Sequence, residues 1–377
     1  MAGIYIHVPF CYTRCSYCDF YKTTDQQFKD EYIKALCKEI DNNASFLQTE
    51  VIQTIYFGGG TPSTLTPEEL EVIINKISGY TSIADVKEFT LEVNPDDVSD
   101  SYIQDIVSLG VNRLSMGIQS FFDEHLRKMN RRHNAHQARQ AIEVAKNNGI
   151  SNMSIDLIYG LPYMSFDEWK SNVKLAITSD VQHISAYHLT FEKGTLYYDY
   201  LKKGKLVEIP EETSVQQFNY LTEELVKAGF EHYEISNFSL PGLESIHNSN
   251  YWNGKKYLGL GPSAHSFNGT NRRWNVRDVK KYINTIDKNE LYFETEVLTP
   301  IDRYNELIML GLRTQKGLQL SLIDQFDSQI IQFFNKELDH QKKLGTVVVI
   351  DGYCKVSDES KMITDRIISE FFFIEDN

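Results

Sequence analysis

Up to about residue 235, short apolar segments alternate with longer segments whose apolar residues recur at helical spacing. In the segment 27–46, Phe28, Tyr32, Leu36 and Ile40 are four residues apart and define one helix face. Such units, spaced at roughly 30 residues, predict parallel strands joined by right-handed helical crossovers. About six units are present, too few for a closed eight-stranded barrel. The predicted strands are 4–8, 54–57, 88–93, 113–118, 155–159 and 183–189, and the further helices are 67–77, 101–109, 135–148 and 167–179.

The pattern changes after about residue 236. The following segment is rich in glycine, asparagine, serine and aromatic residues and predicts loops. Helical spacing then returns, and Asp351-Gly352 stands between two short strand-like segments as a strong hairpin signal. The predicted elements are helices 301–312, 320–344 and 364–372 and strands 346–350 and 353–356. We expect an α/β core domain over 1–235, a loop-rich connecting region over 236–300 and a smaller, winged-helix-like α+β domain over 301–377.

Composition and charge narrow the possible partners. The chain has 377 residues, 41% of them hydrophobic, and a formal net charge of −14. Proteins that bind nucleic acids need lysine and arginine to neutralise phosphates, so this balance argues against a nucleic-acid partner. No apolar stretch is long enough to span a membrane, and the first residues lack the basic flank of a signal peptide, so a cytoplasmic protein is expected. Cys37 and Cys354 are expected to be reduced structural thiols.

The other three cysteines, Cys11, Cys15 and Cys18, follow the first predicted strand at the spacing C-x3-C-x2-C. Three thiolates on one short loop are placed to bind one metal centre. Structural zinc sites have four protein ligands, whereas an iron–sulfur cube can be held at three irons while the fourth accepts another ligand. The spacing therefore favours an iron–sulfur cluster, and a zinc site completed by His7 or Asp19 is the alternative.

The segment Tyr-x-His-x-Pro-Phe that leads into these cysteines adds a second signal. Together they resemble the signature of the radical S-adenosylmethionine (SAM) proteins, in the branch of the oxygen-independent coproporphyrinogen III oxidases. The resemblance runs over essentially the whole chain and implies a partial (β/α)6 barrel. It also implies a [4Fe–4S] cluster on the three cysteines, with SAM on the fourth iron. An electron donor would reduce the cluster, and SAM would be cleaved to methionine and a 5′-deoxyadenosyl radical.

A glycine-rich turn over 58–62 follows the second predicted strand. Consecutive glycines let the backbone approach a ligand and leave N–H groups free for a carboxylate, although the pattern alone also fits a tight turn. The resemblance implies that this turn receives the amino and carboxyl ends of SAM, and that polar residues at later strand ends and two tyrosines complete the site. The SAM-binding residues implied in this way are Gly59, Gly60, Thr61, Glu92, Gln119, Arg131 (or its neighbour Arg132), Asp156, Tyr5 and Tyr17.

One position divides this branch of the superfamily. The oxidases carry a fourth cysteine two positions after the third, where this chain has Phe20. The sequence Cys18-Asp19-Phe20 is instead typical of the related heme chaperones, the HemW group. The chain is therefore most similar to the chaperones at this point.

A second motif favours the same group. His247, Tyr251 and Trp252 reproduce the H-N-x-x-Y-W motif that is proposed to bind heme in the chaperones. A neutral imidazole is a suitable ligand for heme iron, and the two aromatic rings offer flat apolar faces. The structural alternative is a histidine whose aromatic neighbours close the barrel. His265 is a rival heme ligand, and weaker ones are His7 and His188.

The expected function is that of a heme chaperone, which binds heme and transfers it to an acceptor protein. Its cluster and exchangeable SAM would control or assist the transfer, and coproporphyrinogen oxidase activity is not expected. The first alternative is an oxygen-independent coproporphyrinogen III oxidase, which decarboxylates its substrate oxidatively. The second is a radical SAM enzyme that acts on another tetrapyrrole.

Overall fold

A computed structural model describes residues 2–375 of the chain. Its largest feature is one twelve-stranded sheet, in the order β12-β11-β10-β9-β1-β2-β3-β4-β5-β6-β8-β7. In chain order the strands are β1 (Ala2–Val8), β2 (Ile52–Gly59), β3 (Glu88–Val93), β4 (Arg113–Gln119), β5 (Met153–Tyr159), β6 (His183–His188), β7 (Glu231–Glu234), β8 (Asn237–Ser239), β9 (Lys256–Leu260), β10 (His265–Phe267), β11 (Asn271–Asn275) and β12 (Phe293–Val297).

Strands β1 to β6 are adjacent and parallel, which confirms the predicted strand–helix repeats and the partial barrel. A seventh parallel strand, β9, pairs with the other side of β1. Strands β10 to β12 and β7 to β8 extend the two ends in antiparallel pairs. The segment 237–275, which the sequence predicted to be dominated by loops, also contains β8 to β11. These strands were missed because they are too short and too rich in glycine and polar residues for a period of two to emerge.

The helices include those predicted and others that the sequence did not predict. They are α1 (Lys29–Asn42), α2 (Ala44–Thr49), α3 (Pro67–Ser78), α4 (Asp100–Ser108), α5 (Asp123–Lys128), α6 (Ala135–Asn147), α7 (Phe166–Thr178), α8 (Leu196–Lys202), α9 (Glu211–Lys227), α10 (Ile246–Trp252), α11 (Val279–Asp287), α12 (Pro300–Leu312), α13 (Ser328–Leu344) and α14 (Thr364–Glu370). Among those that the sequence did not predict are α8, α9 and α10.

Capping explains several of these boundaries. Thr66 begins α3 through a reciprocal capping box with Glu69. The prediction of one helix over 320–344 was wrong. Residues Leu320–Gln325 form a 3-10 helix, and Asp327 starts a new helix because its carboxylate accepts the N–H groups of Gln329 and Ile330.

Within residues 2–375, the buried apolar residues form two clusters. The larger lies on the main sheet and extends to Tyr292, and the smaller runs from Tyr304 to Phe373. The smaller cluster lies under a separate antiparallel sheet, built from β13 (Leu318–Gln319), β14 (Val347–Ile350) and β15 (Tyr353–Val356) in the order β13-β15-β14. The C-terminal part is thus a small α+β domain with the predicted hairpin, while the exact domain boundaries stay a prediction. Within residues 2–375, no helix is both long and apolar enough to cross a membrane.

Candidate functional site

A cavity of about 350 Å³ opens at the carboxyl ends of the parallel strands. This edge is where parallel α/β sheets bind their ligands, because the strand ends and following loops converge there. The structure brings most of the predicted site residues together in its wall: Cys11, Cys15, Cys18, Tyr17, Gly59, Gly60, Thr61, Glu92, Gln119, Arg131 and Asp156.

The cysteine loop leaves β1 and is closed at its base by backbone hydrogen bonds. Cys11 N–H donates to the carbonyl of Thr23 (2.9 Å), and Thr23 N–H donates to the carbonyl of Pro9 (2.7 Å). All three thiols are free; Cys11 is buried, and Cys15 and Cys18 are half-buried. Burial raises the pKa of Cys11 to about 11, and a hydrogen bond from Thr61 lowers it only in part. A metal centre would supply the positive charge that thiolates need here.

Two side chains reach the cysteine sulfurs. Thr61 Oγ1 donates to Cys11 Sγ (3.4 Å), and Arg131 Nη1 lies 3.5 Å from Cys15 Sγ. Hydrogen bonds to the sulfurs tune iron–sulfur clusters. Arg131 is fixed by Asn94 Oδ1 (2.7 Å) and the carbonyl of Gly117 (2.6 Å), and its buried Nε has no partner.

The neighbouring arginine has a different role. Arg132 forms ion pairs with Asp96 and Asp97 instead of reaching the sulfurs. Of the two candidates that the sequence left open, Arg131 therefore lies at the cysteines.

The zinc alternative finds no support at His7. Its Nε2 lies 2.9 Å from the carbonyl of Tyr21 and its Nδ1 3.1 Å from the hydroxyl of Tyr5, so both ring nitrogens are engaged. Asp19 is exposed at the cavity wall. Three free thiols with two polar donors fit a cluster ligated at three corners.

The glycine turn packs directly against the cysteine loop. A Cβ at Gly60 would lie 2.7 Å from the carbonyl oxygen of Phe10, and one at Gly59, whose φ is +113°, would lie 2.7 Å from the His7 ring. The prediction of free N–H groups was wrong for both glycines. Gly60 N–H donates to the carbonyl of Val8 (2.8 Å), and Gly59 N–H donates to Glu92 (3.3 Å). At these two positions glycine is required by close packing.

Two carboxylates lie deep in the same cavity. Burial raises the pKa of Glu92 to about 7, although the Tyr56 hydroxyl donates to it (2.7 Å). Burial also raises the pKa of Asp156 to about 6, against a hydrogen bond from Ser185 and the charges of Arg113 and Arg131. Burial thus brings the pKa values of both carboxylates close to neutral pH. Binding of a cationic group would lower these pKa values.

Backbone strain marks another predicted residue. Gln119 ends β4 with a φ of +66°, an uncommon conformation for a residue with a side chain. Strain of this kind is retained at binding sites when the surroundings enforce it. Gln119 lies in the cavity wall beside Gly117.

Only one of the two predicted tyrosines lies at the cavity. Tyr17 lines the cavity, but Tyr5 does not; it lies inside the barrel, where its ring stacks on Tyr56 with centroids 6.1 Å apart. Sequence reasoning overlooked Asn94 and Tyr187, which also line the cavity. Their positions at strand ends could have revealed them, because Asn94 immediately follows β3 and Tyr187 is the penultimate residue of β6.

The HNxxYW motif forms α10, which sits at the other end of the barrel. Glu88, the first residue of β3, accepts hydrogen bonds from Ser245 Oγ (3.3 Å) and from the N–H groups of Ile246 (2.7 Å) and His247 (2.8 Å). A carboxylate at a helix N-terminus is favourable. Glu88 therefore fixes α10 beneath the amino ends of the parallel strands.

Both ring nitrogens of His247 are engaged in this position. Nδ1 lies 2.8 Å from Thr54 Oγ1 and Nε2 lies 2.9 Å from the Tyr251 hydroxyl, and the residue is 2% exposed. Burial and the charge of Arg113 lower its pKa to about 3, so the ring is neutral. This arrangement matches the structural alternative, in which the histidine and its aromatic neighbours close the barrel.

The aromatic faces of the motif are also occupied. Tyr251 packs edge-on against Tyr257, and Arg313, the residue after α12, lies over Trp252 at 5.5 Å.

The other candidate histidines are placed differently. His265 is exposed on β10 beside Trp274, with ring centroids 6.3 Å apart. His265 begins β10 shortly after the carboxyl end of β9, which runs parallel to β1, so it lies at the cysteine end of the sheet. Burial lowers the pKa of His7 to about 4. His188 lines the cavity and binds Ser214 (2.9 Å).

Comparison with protein families gives two matches. Residues 5–176 match the radical SAM superfamily, and residues 298–362 match the HemN C-terminal domain. Among solved structures, the chain is similar to the coproporphyrinogen III oxidase HemN of Escherichia coli, with a TM-score of 0.83 over 98% of this chain and 90% of that one. The sequences are 23% identical, so this likeness shows the fold.

Curated relatives are closer in sequence. The chain is 33% identical to the heme chaperone HemW of Bacillus subtilis, over 98% of this chain and 99% of the relative. It is 35% identical to HemW of Lactococcus lactis, over 90% of each. The chain therefore belongs to the HemW family, within the radical SAM superfamily.

Proposed function

We propose that this protein is a heme chaperone, which binds heme and transfers it to an acceptor protein. The proposal rests first on its relatives of the HemW family, which carry that name and align with nearly the full chain. A donor protein would reduce its cluster, and heme would be handed to a separate acceptor. Both partners, and a cytoplasmic location, belong to the proposal. The five free cysteines support a reducing compartment.

The observation that carries the proposal is the cavity at the strand ends. There Cys11, Cys15 and Cys18 are free to hold a [4Fe–4S] cluster, with hydrogen bonds to the sulfurs from Thr61 and Arg131. When bound, such a cluster supplies single electrons to a ligand on its open iron.

The remaining residues of the cavity suit SAM. Glu92 and Asp156 offer negative charge to the sulfonium and amino groups, and Gln119 and Tyr17 offer polar and aromatic contacts. The carboxylates would bind and orient the cationic ligand. Gly59 and Gly60 would let it approach closely, although their N–H groups are engaged.

Two histidines are candidates for the heme ligand, and they lie at opposite ends of the barrel. His247 with Tyr251 and Trp252 was predicted from the motif, but heme ligation there would require His247 to give up a buried hydrogen bond. His265 is exposed next to Trp274 and requires no such loss. The geometry therefore favours His265 as the ligand, and His247 remains the alternative.

The decisive experiment combines two assays on one anaerobic, cluster-loaded preparation. Titration with hemin should give a Soret band that saturates near one heme per chain. Incubation with reductant, SAM and coproporphyrinogen III should yield no protoporphyrinogen. Formation of protoporphyrinogen without stable heme binding would instead assign the protein as a coproporphyrinogen III oxidase.

A matched pair of variants then locates the ligand. His265→Ala should weaken the Soret band strongly, while His247→Ala should change it little after correction for folded protein. The opposite result would place the heme at α10.

A further inference from the structure

A second cavity of about 320 Å³ adjoins the first, sharing the wall residues Asp19, Phe20 and Lys22. Its other lining residues are Arg14, Tyr21, Glu192, Lys193, Gly194 and Arg277. Four basic side chains and two carboxylates therefore line it, which gives a lining charge of +2 in a chain whose net charge is −14. Such a local reversal of sign favours an anionic ligand.

Backbone carbonyls position three of the four basic groups and leave their charges uncompensated. Arg14 donates to Gly194 (3.1 Å), Arg277 to Asp19 (2.7 Å), and Lys22 to Cys18 (2.6 Å) and Phe20 (3.2 Å). Among residues 2–375, no carboxylate lies within ion-pair distance of these three or of Lys193. A carboxylate or phosphate brought here would meet preorganised donors.

Phe20 stands between the two cavities and is 66% exposed. Tyr187 in the first cavity is also unusually exposed for a large ring. An exposed aromatic ring in a cavity wall offers a surface for a flat apolar ligand. Phe20 is thus an exposed apolar ring where the first cavity meets the basic one.

We propose that the second cavity binds the propionate carboxylates of a tetrapyrrole whose macrocycle lies against Phe20. The inference rests on the proposed function and adds a site to it: the apolar body of heme packs on the exposed ring, and its two anionic groups meet the four cations. The net charge of the lining matches the two charges of the propionates. The position also brings the macrocycle to the end of the barrel where His265 begins β10.

The test compares hemin with hemin dimethyl ester, which has the same macrocycle but no free carboxylates. The wild-type protein should bind hemin about tenfold more tightly than the ester, since two partly exposed ion pairs contribute about 1.4 kcal/mol, a tenfold change. The double variant Lys193→Gln/Arg277→Gln should lose that preference and bind both compounds alike. The control Lys336→Gln/Lys343→Gln removes two exposed charges from α13 and should keep it.

Cluster iron content and thermal unfolding show whether the double variant is folded. Lys193→Gln alone provides a milder change, since Lys193 makes no hydrogen bond within residues 2–375. Equal affinity of the wild type for hemin and its ester would overturn the inference and leave the chaperone proposal intact. A wild-type protein that bound neither compound would overturn the chaperone proposal itself.

Discussion

At the scale of single residues, Arg131 connects the parts of the candidate site. Its guanidinium contacts Cys15 on the first loop, Asn94 after β3 and the carbonyl of Gly117 on β4. Three segments from distant parts of the sequence are therefore joined by one rigid, permanently charged group. The adjacent Arg132 is bound to acidic residues instead and does not take part.

Glu92 gives the site a pH dependence. Its pKa is raised to about 7, so the carboxylate is largely protonated below that pH and ionised above it. A ligand with a cationic amino group binds the ionised form, so SAM affinity should rise with pH up to about 7 and fall by up to about tenfold per pH unit below it. Asp156, with a pKa of about 6, should steepen the fall.

Calorimetric titration of cluster-loaded protein with SAM at several pH values would measure this dependence. The variant Glu92→Gln should bind SAM more weakly at pH 8 and lose the transition near pH 7. An unchanged pH profile in that variant would exclude Glu92 as the titrating group.

The site residues also show what the sequence could predict. The cysteines, Glu92 and Asp156 follow strands with clear apolar patterns, so their meeting at one sheet edge could be predicted. The hydrogen bonds of Gly59 and Gly60 could not, since they depend on which loop packs against the turn. Tyr5 misled for a related reason: it neighbours the cysteines in sequence, yet in β1 its side chain points into the barrel, against Tyr56.

At the scale of elements, α10 closes one end of the barrel through His247. Thr54 and Tyr251 both lose a buried partner if this ring is removed. His247→Ala should therefore lower the free energy of unfolding by about 2–4 kcal/mol, from the cavity and the unpaired hydroxyls. Chemical denaturation measures this, with His265→Ala as a control that should change stability by less than about 0.5 kcal/mol because His265 is exposed. Equal losses in both variants would contradict the structural role of His247.

The same comparison explains which elements the sequence revealed. Strands β1 to β6 are apolar and regularly spaced, so their pattern predicted them. Strand β9 reads Lys-Tyr-Leu-Gly-Leu and has neither a long apolar run nor a following helix. Its place beside β1 is determined by long-range pairing, which a local pattern does not contain.

At the scale of the whole molecule, β9 links the two halves of the chain. Strand β1 pairs with β2 on one side and with β9 on the other, so the cysteine loop grows out of a strand held by residues far along the sequence. Strand β9 packs tightly against the start of β10, because a Cβ at Gly259 would meet the His265 carbonyl oxygen at 1.9 Å.

Gly259→Ala should therefore destabilise the protein by about 2–4 kcal/mol and reduce cluster occupancy, although it lies far from the cysteines in sequence. Thermal unfolding and iron content would measure both effects. Gly79→Ala is the control: its Cβ would be 3.4 Å from the nearest atom at the end of α3, so both quantities should stay near wild type. Full iron content in the Gly259 variant would show that the cysteine loop does not depend on β9.

The position of β1 between β2 and β9 has a consequence for biosynthesis. The cysteines emerge from the ribosome early, but the strand that carries them gains its second neighbour only when residues 256–260 have been made. At 5–20 residues per second, this interval is on the order of tens of seconds. We therefore expect the cysteine loop to reach its final support only after residues 256–260 have been made, so that iron loading would follow rather than accompany synthesis of the loop.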